Sequence, residues 1–202
     1  MGHSAAKKLT THVGQEDSRN KISSHLADLL RHQDSYRLRP LVVLCIGSDR
    51  YTGDALGPLI GSHLTEHTNM LVYGSLESPV HAGNLVDTIQ SINGKHHHPL
   101  IIAIDACLGK TDEIGNIEVW EGGLEAGIAV GNRLPSVGHI SIIGVVNSGG
   151  KIGYVDLQST PLSIVMKLSR LIGTALQDAM GMLALNPAWR CQLTTHGRGC
   201  PT

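Results

Sequence analysis

The fold is decided by residues 41–57, which read LVVLCIGSDRYTGDALG. The first six are apolar, as is typical of a short strand buried on both faces of a sheet. A polar, glycine-containing loop follows, and a helix is predicted to open at about Asp54. Residues 100–104, LIIAI, repeat the plan and end at Asp105. Two buried strands thus each deliver a carboxylate at the carboxyl edge of the predicted sheet, where α/β proteins build their sites.

Composition narrows the class of protein. The chain has 202 residues, a formal net charge of -1 and only 16% charged residues, against about 25% in typical proteins. No basic face is implied, so we expect no nucleic-acid partner. The N-terminal residues lack the apolar core of a signal peptide, and no apolar run reaches the roughly 18 residues of a membrane span. We therefore expect a cytoplasmic protein without a membrane partner; homo-oligomer formation stays open.

Apolar periodicity predicts a single domain. Strands alternating with helices indicate an α/β fold, specifically a three-layer αβα sandwich around a mostly parallel or mixed sheet. The domain is expected over residues 20–185, with 1–19 and 186–202 as flexible tails. The predicted helices cover 22–31, 54–66, 79–92 and 161–183, and the predicted strands cover 41–46, 70–76, 100–104, 114–120, 140–146 and 154–157.

Asp54 and Asp105 are the candidate catalytic residues. If their strands are neighbours, both side chains project into one crevice. Two close carboxylates cannot both ionise cheaply, so the pair can hold a proton, and one carboxylate acts as general base on water while the other acts as general acid. The same pair could instead hold a divalent metal ion. For each residue taken alone, the alternative is capping of the following helix or turn.

Further candidates surround the pair and would contact substrate. His81 is predicted in the first turn of a helix, where it could polarise a substrate carbonyl or simply bond locally. Asn132 and Arg133 lie in a glycine-rich stretch that could bind an extended peptide backbone or be held by its own hydrogen bonds. Asp49 is a further substrate-binding candidate, with a loop-shaping salt bridge to Arg50 as the alternative. The glycines of residues 47–57 do not match the spacing of a phosphate-binding loop.

Four segments carry a resemblance to a known family: CIGSDRYTGDALGP, GSLESPVHAGNL, IIAIDACLG and GIAVGNRLPSVGHISIIGVV. They resemble the YyaC family of sporulation proteins, which is similar to the germination protease of spores. The resemblance implies a phosphorylase/hydrolase-like fold and an atypical aspartic peptidase mechanism without a cofactor, with Asp54 and Asp105 at the catalytic positions. It also implies a location in the forespore or spore core and a peptide or protein substrate, with small acid-soluble spore proteins as the candidate.

Two alternatives to a peptidase stay open. The first is a catalytically silent sporulation protein that uses the same groove to bind a peptide or partner. The second is a metal-recognising maturation endopeptidase, because hydrogenase maturation endopeptidases resemble the chain in fold and in the two carboxylate positions. Those enzymes add a histidine that binds nickel. His139 is expected at the amino edge of the sheet, away from the carboxylates, so His81 is the better-placed histidine, and no metal site is predicted.

Overall fold

The computed structural model describes residues 8–35, 38–125, 136–150 and 153–184. The strands are β1 (Leu9–His12), β2 (Leu41–Cys45), β3 (Leu71–Tyr73), β4 (Leu100–Gly109), β5 (Asn116–Glu121) and β6 (Ile140–Ser148). The α-helices are α1 (Ser18–Gln33), α2 (Leu56–His67), α3 (Leu85–Lys95), α4 (Gly153–Gln158) and α5 (Leu162–Ala184). One 3₁₀ turn, Gly53–Ala55, leads into α2, and a second, Thr111–Glu113, precedes β5.

The strands form one mixed sheet in the order β1-β5-β6-β4-β2-β3. β3, β2, β4 and β6 run parallel, whereas β5 is antiparallel to β6 and to β1. The α/β class, the mixed sheet and the adjacency of the two carboxylate-bearing strands are confirmed. The parallel register aligns the carboxyl ends of four strands at one edge, which we call the carboxyl edge; the opposite edge is the amino edge.

Alternate residues of the central strands supply two hydrophobic cores. Val43 and Ile102 belong to the larger core, which α1, α2 and α5 cover. Val42 and Ile101 belong to the smaller core, to which α3 contributes Leu85 and Ile92. Successive strand side chains point to opposite faces, so strands with near-continuous apolar runs are the ones that helices can cover on both sides. This arrangement confirms the predicted three layers.

The predicted tail over residues 1–19 is wrong for residues 9–12. They form β1, which pairs with β5 in the register Leu9↔Val119 to His12↔Asn116. The segment LTTH carries no apolar run of its own, so its strand conformation depends on the partner strand. Residues 1–7 and the predicted tail at 186–202 lie outside the described residues.

Two further elements differ from prediction. The helix expected from Pro79 begins instead at Leu85, because Asn84 organises a turn: its side chain accepts the His81 amide N–H (2.8 Å) and donates to the Pro79 carbonyl (3.0 Å). The edge strand expected at 154–157 is helix α4, which buries Leu157 and leaves Tyr154 exposed. Within the described part of the chain, no helix is both long enough and apolar enough to cross a bilayer.

Candidate functional site

The candidate site lies where β2 ends beside β4. The two strands pair in register up to Cys45↔Ile104, and the Ile46 amide donates to the Ile104 carbonyl at 2.7 Å. β4 continues to Gly109, so Asp105 lies inside a strand and not at its end as predicted. Because β2 stops there and its chain turns away, the face of β4 at Asp105 borders a loop, and a cavity forms.

Two glycines fold that loop tightly onto the strand ends. Gly47 has φ +137°, a conformation that residues with a Cβ rarely adopt, and an added Cβ would overlap the Asp54 carbonyl oxygen. A Cβ on Gly57 would overlap the Ile46 carbonyl oxygen. The glycines of this segment therefore permit close backbone approach, which brings the Asp54 side chain back towards β2.

Asp54 is held by Ser48. Its Oδ2 accepts hydrogen bonds from the Ser48 amide (2.8 Å) and the Ser48 hydroxyl (3.0 Å). No side-chain capping bond forms at the start of the 3₁₀ turn or of α2, so the capping alternative does not describe Asp54. Burial raises the pKa of the Asp54 carboxyl, and the hydrogen bonds from Ser48 and the nearby His81 oppose that rise. Sequence reasoning missed Ser48, since a serine after a glycine carries no signal beyond a turn.

Asp105 is 9% exposed, and its Oδ1 accepts the Ala106 amide at 2.8 Å. Its register partner on β6 is Ile143. Asp54 and Asp105 both line one cavity of about 590 Å³, together with His81, Ser48 and Arg50. The structure thus places the two predicted catalytic carboxylates and the predicted histidine around the same space, which can hold water and part of a substrate.

Three predicted substrate-binding residues have other outcomes. Asp49 is exposed and is not among the residues that line the cavity. No ion pair between described residues joins Asp49 to Arg50, so the expected loop-shaping salt bridge is absent. Asn132 and Arg133 lie outside the described residues, and their role stays a prediction.

His81 is fixed by the turn that precedes α3. Its Nδ1 accepts the Gly83 amide at 3.1 Å, which leaves Nε2 to carry the proton of the neutral ring. The Asn84 side chain anchors the His81 backbone. The imidazole therefore lines the cavity with a defined tautomer and can present an N–H donor.

The cavity also contains a thiol. Burial, followed by the nearby carboxylates, raises the pKa of Cys107 to about 12. The thiol therefore stays protonated near neutral pH, which does not suit a cysteine nucleophile. Among the described residues, no group of three or more His, Cys, Asp or Glu side chains has an arrangement that could hold a metal ion.

Comparison with known proteins places the chain in a family. Residues 13–175 match the family described as "Protein of unknown function (DUF1256)". The uncharacterized protein YyaC of Bacillus subtilis strain 168 is 38% identical over 177 residues, which cover 86% of this chain and 85% of that protein. The [NiFe] hydrogenase maturation protease HycI of Thermococcus kodakarensis KOD1 aligns with a TM-score of 0.43 and 19% identity, covering 72% of this chain and 98% of that one. The match over most of its length shows that the chain belongs to the DUF1256 family and is a relative of YyaC.

Proposed function

We propose that the protein is a peptidase in which Asp54 and Asp105 activate water against a peptide carbonyl. The observation that carries the proposal is the shared cavity: two mostly buried carboxylates on neighbouring segments line one space of about 590 Å³. Proton-sharing carboxylates perform acid–base hydrolysis elsewhere by the same division of labour. The resemblance to the germination protease supports the same two residues.

The environment of Asp54 gives it a role in this scheme. Burial raises the pKa of Asp54, which suits Asp54 to hold the proton that the pair shares. Asp105, as the carboxylate, would accept a proton from water as the hydroxyl oxygen bonds to the peptide carbon. The tetrahedral intermediate would then break its C–N bond while Asp54 donates its proton to the departing amine. The products are a carboxylic acid and an amine, and proton return from Asp105 to Asp54 restores the pair.

His81 would assist through its Nε2–H. A hydrogen bond from this donor to the carbonyl oxygen stabilises the negative charge that develops there in the transition state. Because the Gly83 amide occupies Nδ1, the ring does not need to change tautomer on binding. We assign His81 this electrophilic role and assign the proton transfers to the two aspartates.

The test is cleavage of small acid-soluble spore proteins, the substrate that the family resemblance suggests. Wild type is compared with Asp54→Asn and Asp105→Asn, and with Asp87→Asn, an exposed aspartate on α3, as the matched control. We expect each cavity variant to lose a factor of roughly 100 to 10,000 in rate while the control retains wild-type activity. Equal activity in all four proteins would overturn the aspartate mechanism.

The same four proteins distinguish the peptidase from a non-catalytic peptide-binding protein. A non-catalytic peptide binder predicts no cleavage by wild type and unchanged peptide affinity in Asp54→Asn. The apolar part of the cavity wall supports this alternative, because it could bind an apolar side chain of a peptide whether or not the peptide is cleaved. Forespore or spore-core location remains part of the proposal, and a fluorescent fusion in a sporulating relative tests it.

A further inference from the structure

One side of the cavity is apolar and extends away from the two carboxylates. Ile143, Trp120 and Leu124 line that side. The smaller hydrophobic core includes Leu124 among its buried residues, and Trp120 and Ile143 pack against it while remaining partly accessible. The proposed hydrolysis needs only the carboxylates, a water molecule and a donor, so this wall has no part in the chemistry described above.

The sheet register fixes how far the wall lies from the acid pair. Ile143 on β6 is the direct partner of Asp105, and Trp120 on β5 is the partner of Ser141, two residues further towards the amino edge. Strands lie about 4.8 Å apart and rise about 3.3 Å per residue, which places the Trp120 Cα about 12 Å from that of Asp105. The wall therefore begins beside the reacting bond and extends over the length of a large neighbouring side chain.

The wall is held in place by partners outside the cavity. Leu124 and Val137 exchange backbone hydrogen bonds of 2.9 Å each, and both side chains are 4% exposed. The Lys8 ammonium lies 5.5 Å from the centroid of the Trp120 ring and 2.6 Å from the Glu118 carboxylate. A cation over the ring restrains its orientation, and the surface is thus preorganised before any ligand arrives.

We propose that Trp120, Leu124 and Ile143 form a subsite for an apolar side chain of the substrate polypeptide, adjacent to the bond that Asp54 and Asp105 hydrolyse. The assignment rests on the proposed function, which supplies the polypeptide. A charged or amide side chain placed against these three apolar side chains would lose its hydration without gaining a hydrogen-bond partner from them, and the nearby Glu118 carboxylate is already paired with Lys8. An aliphatic or aromatic side chain gains the burial energy without that loss.

The decisive variant is Ile143→Thr, which keeps the β-branched shape and strand propensity but adds a hydroxyl to the wall. Its matched control is Val86→Thr, a change of the same kind at an exposed residue of α3 that does not line the cavity. The probes are two pools of capped octapeptides that differ at one central position, which is Leu, Ile or Phe in one pool and Ser, Asn or Asp in the other.

Binding is measured separately from cleavage. The chain has two tryptophans, Trp120 and Trp189, so a Trp189→Phe background makes Trp120 the sole tryptophan reporter. Asp54→Asn is introduced into the same Trp189→Phe background to prevent the proposed hydrolysis during the titration. We expect the apolar pool to shift Trp120 fluorescence and to bind at least tenfold more tightly than the polar pool, and we expect Ile143→Thr, but not Val86→Thr, to reduce that preference roughly tenfold.

The outcomes separate the subsite from the peptidase. If the protein binds the apolar pool more tightly and Ile143→Thr removes this preference, the subsite is supported even when wild type cleaves neither pool. In that case only the peptidase assignment fails. Cleavage of both pools at equal rates, unchanged by Ile143→Thr, overturns the subsite and leaves the peptidase standing. Binding of neither pool, with the variants shown to be folded by their unfolding transitions, also overturns the subsite.

Discussion

The carboxylates at the two edges of the sheet differ in how their oxygens are hydrogen-bonded. At the amino edge, Asp34 uses both oxygens: Oδ1 accepts the Leu38 amide at 3.2 Å and Oδ2 accepts the Arg39 amide at 2.8 Å. At the carboxyl edge, the hydrogen bonds that Asp54 accepts from the described residues come from Ser48, and both go to Oδ2. The first arrangement joins the end of α1 to the residues that precede β2. The second keeps a carboxyl group at the wall of a cavity, and burial raises the pKa of that group.

The histidines at the two edges show the same contrast. His139 lies at the amino edge, as expected, with Ile101 donating to its Nδ1 at 3.1 Å and the Arg39 guanidinium 2.8 Å from its Nε2. Burial, and secondarily the Arg39 charge, lowers the pKa of His139. Within the part of the chain that the structure describes, the His81 ring instead accepts a hydrogen bond at Nδ1 from its own turn, and the residue lines the cavity. The amino edge is thus built for stability, and the carboxyl edge keeps polar groups available for a ligand.

The largest effect that we expect is on stability at the carboxyl edge. Gly57→Ala should lower the free energy of unfolding by about 3 kcal/mol or more, because the added methyl group would overlap the Ile46 carbonyl oxygen. The overlapping atom belongs to the backbone, which cannot move aside as a flexible side chain could. The control is Gly94→Ala in α3, whose added Cβ meets no atom of the described residues within 4 Å and which should gain up to about 1 kcal/mol from helix propensity. Urea unfolding of both variants measures the difference, and equal stability would show that the loop is not tightly packed.

The next effect distinguishes the two histidines by activity. His81→Ala should reduce the rate of peptide cleavage roughly 10- to 100-fold, since it removes the proposed donor to the carbonyl oxygen. His139→Gln should leave the rate of the folded protein unchanged and lower only its unfolding midpoint. Steady-state cleavage assays on both variants, beside their thermal unfolding, make the comparison. A loss of rate in His139→Gln without a loss of stability would contradict the division between the edges.

Asp34→Asn should lower the free energy of unfolding by about 1 kcal/mol, because an amide has one acceptor oxygen where the carboxylate uses two, so one partly buried backbone N–H loses its partner. Asp28→Asn, on an exposed carboxylate of α1, is the control with the same chemical change. Chemical denaturation at neutral pH gives both values. Equal values for the two variants would mean that the hydrogen bonds of Asp34 add nothing to stability.

The sequence predicted those elements of the fold that depend on local patterns of apolar and polar residues. The apolar runs of β2, β4 and β6 predict buried parallel strands, and parallel strands align their carboxyl ends, which is why Asp54 and Asp105 could be paired from sequence alone. β1 escaped prediction because LTTH becomes a strand only beside β5. The start of α3 escaped because the side chain of Asn84 organises the preceding turn and Pro79 does not begin the helix.

The apolar wall could not be predicted from sequence for a different reason. Trp120 and Ile143 reach the same cavity through the register of β5 on β6 and of β6 on β4, which depends on pairing between segments far apart in the chain. Ser48 likewise gains its role only once the loop has folded Asp54 back onto it. Chemistry-bearing residue types are visible in a sequence, whereas the residues that orient or surround them depend on tertiary contacts.

The smallest effect that we expect has the opposite sign to that of Asp34→Asn. Asp54→Asn should raise the free energy of unfolding by roughly 1 kcal/mol at neutral pH, a gain commonly found when a functional site is neutralised. The amide oxygen can still accept both Ser48 hydrogen bonds, because both go to one oxygen. Meanwhile, the free-energy cost of burying a carboxyl group that ionises readily in the unfolded chain disappears. The prediction therefore couples lost activity to increased stability in a single substitution.

The pH dependence of that gain tests its cause. Since the pKa of Asp54 is raised in the folded protein above its ordinary value of 3.8, the folded state binds more protons than the unfolded state between those two pKa values. The stability of wild type relative to Asp54→Asn should therefore fall as pH rises from about 3.8 through the folded pKa and then stay constant. Unfolding curves of both proteins across this range measure it. A gain independent of pH would assign the effect to packing, because only ionisation of the carboxyl carries a proton dependence.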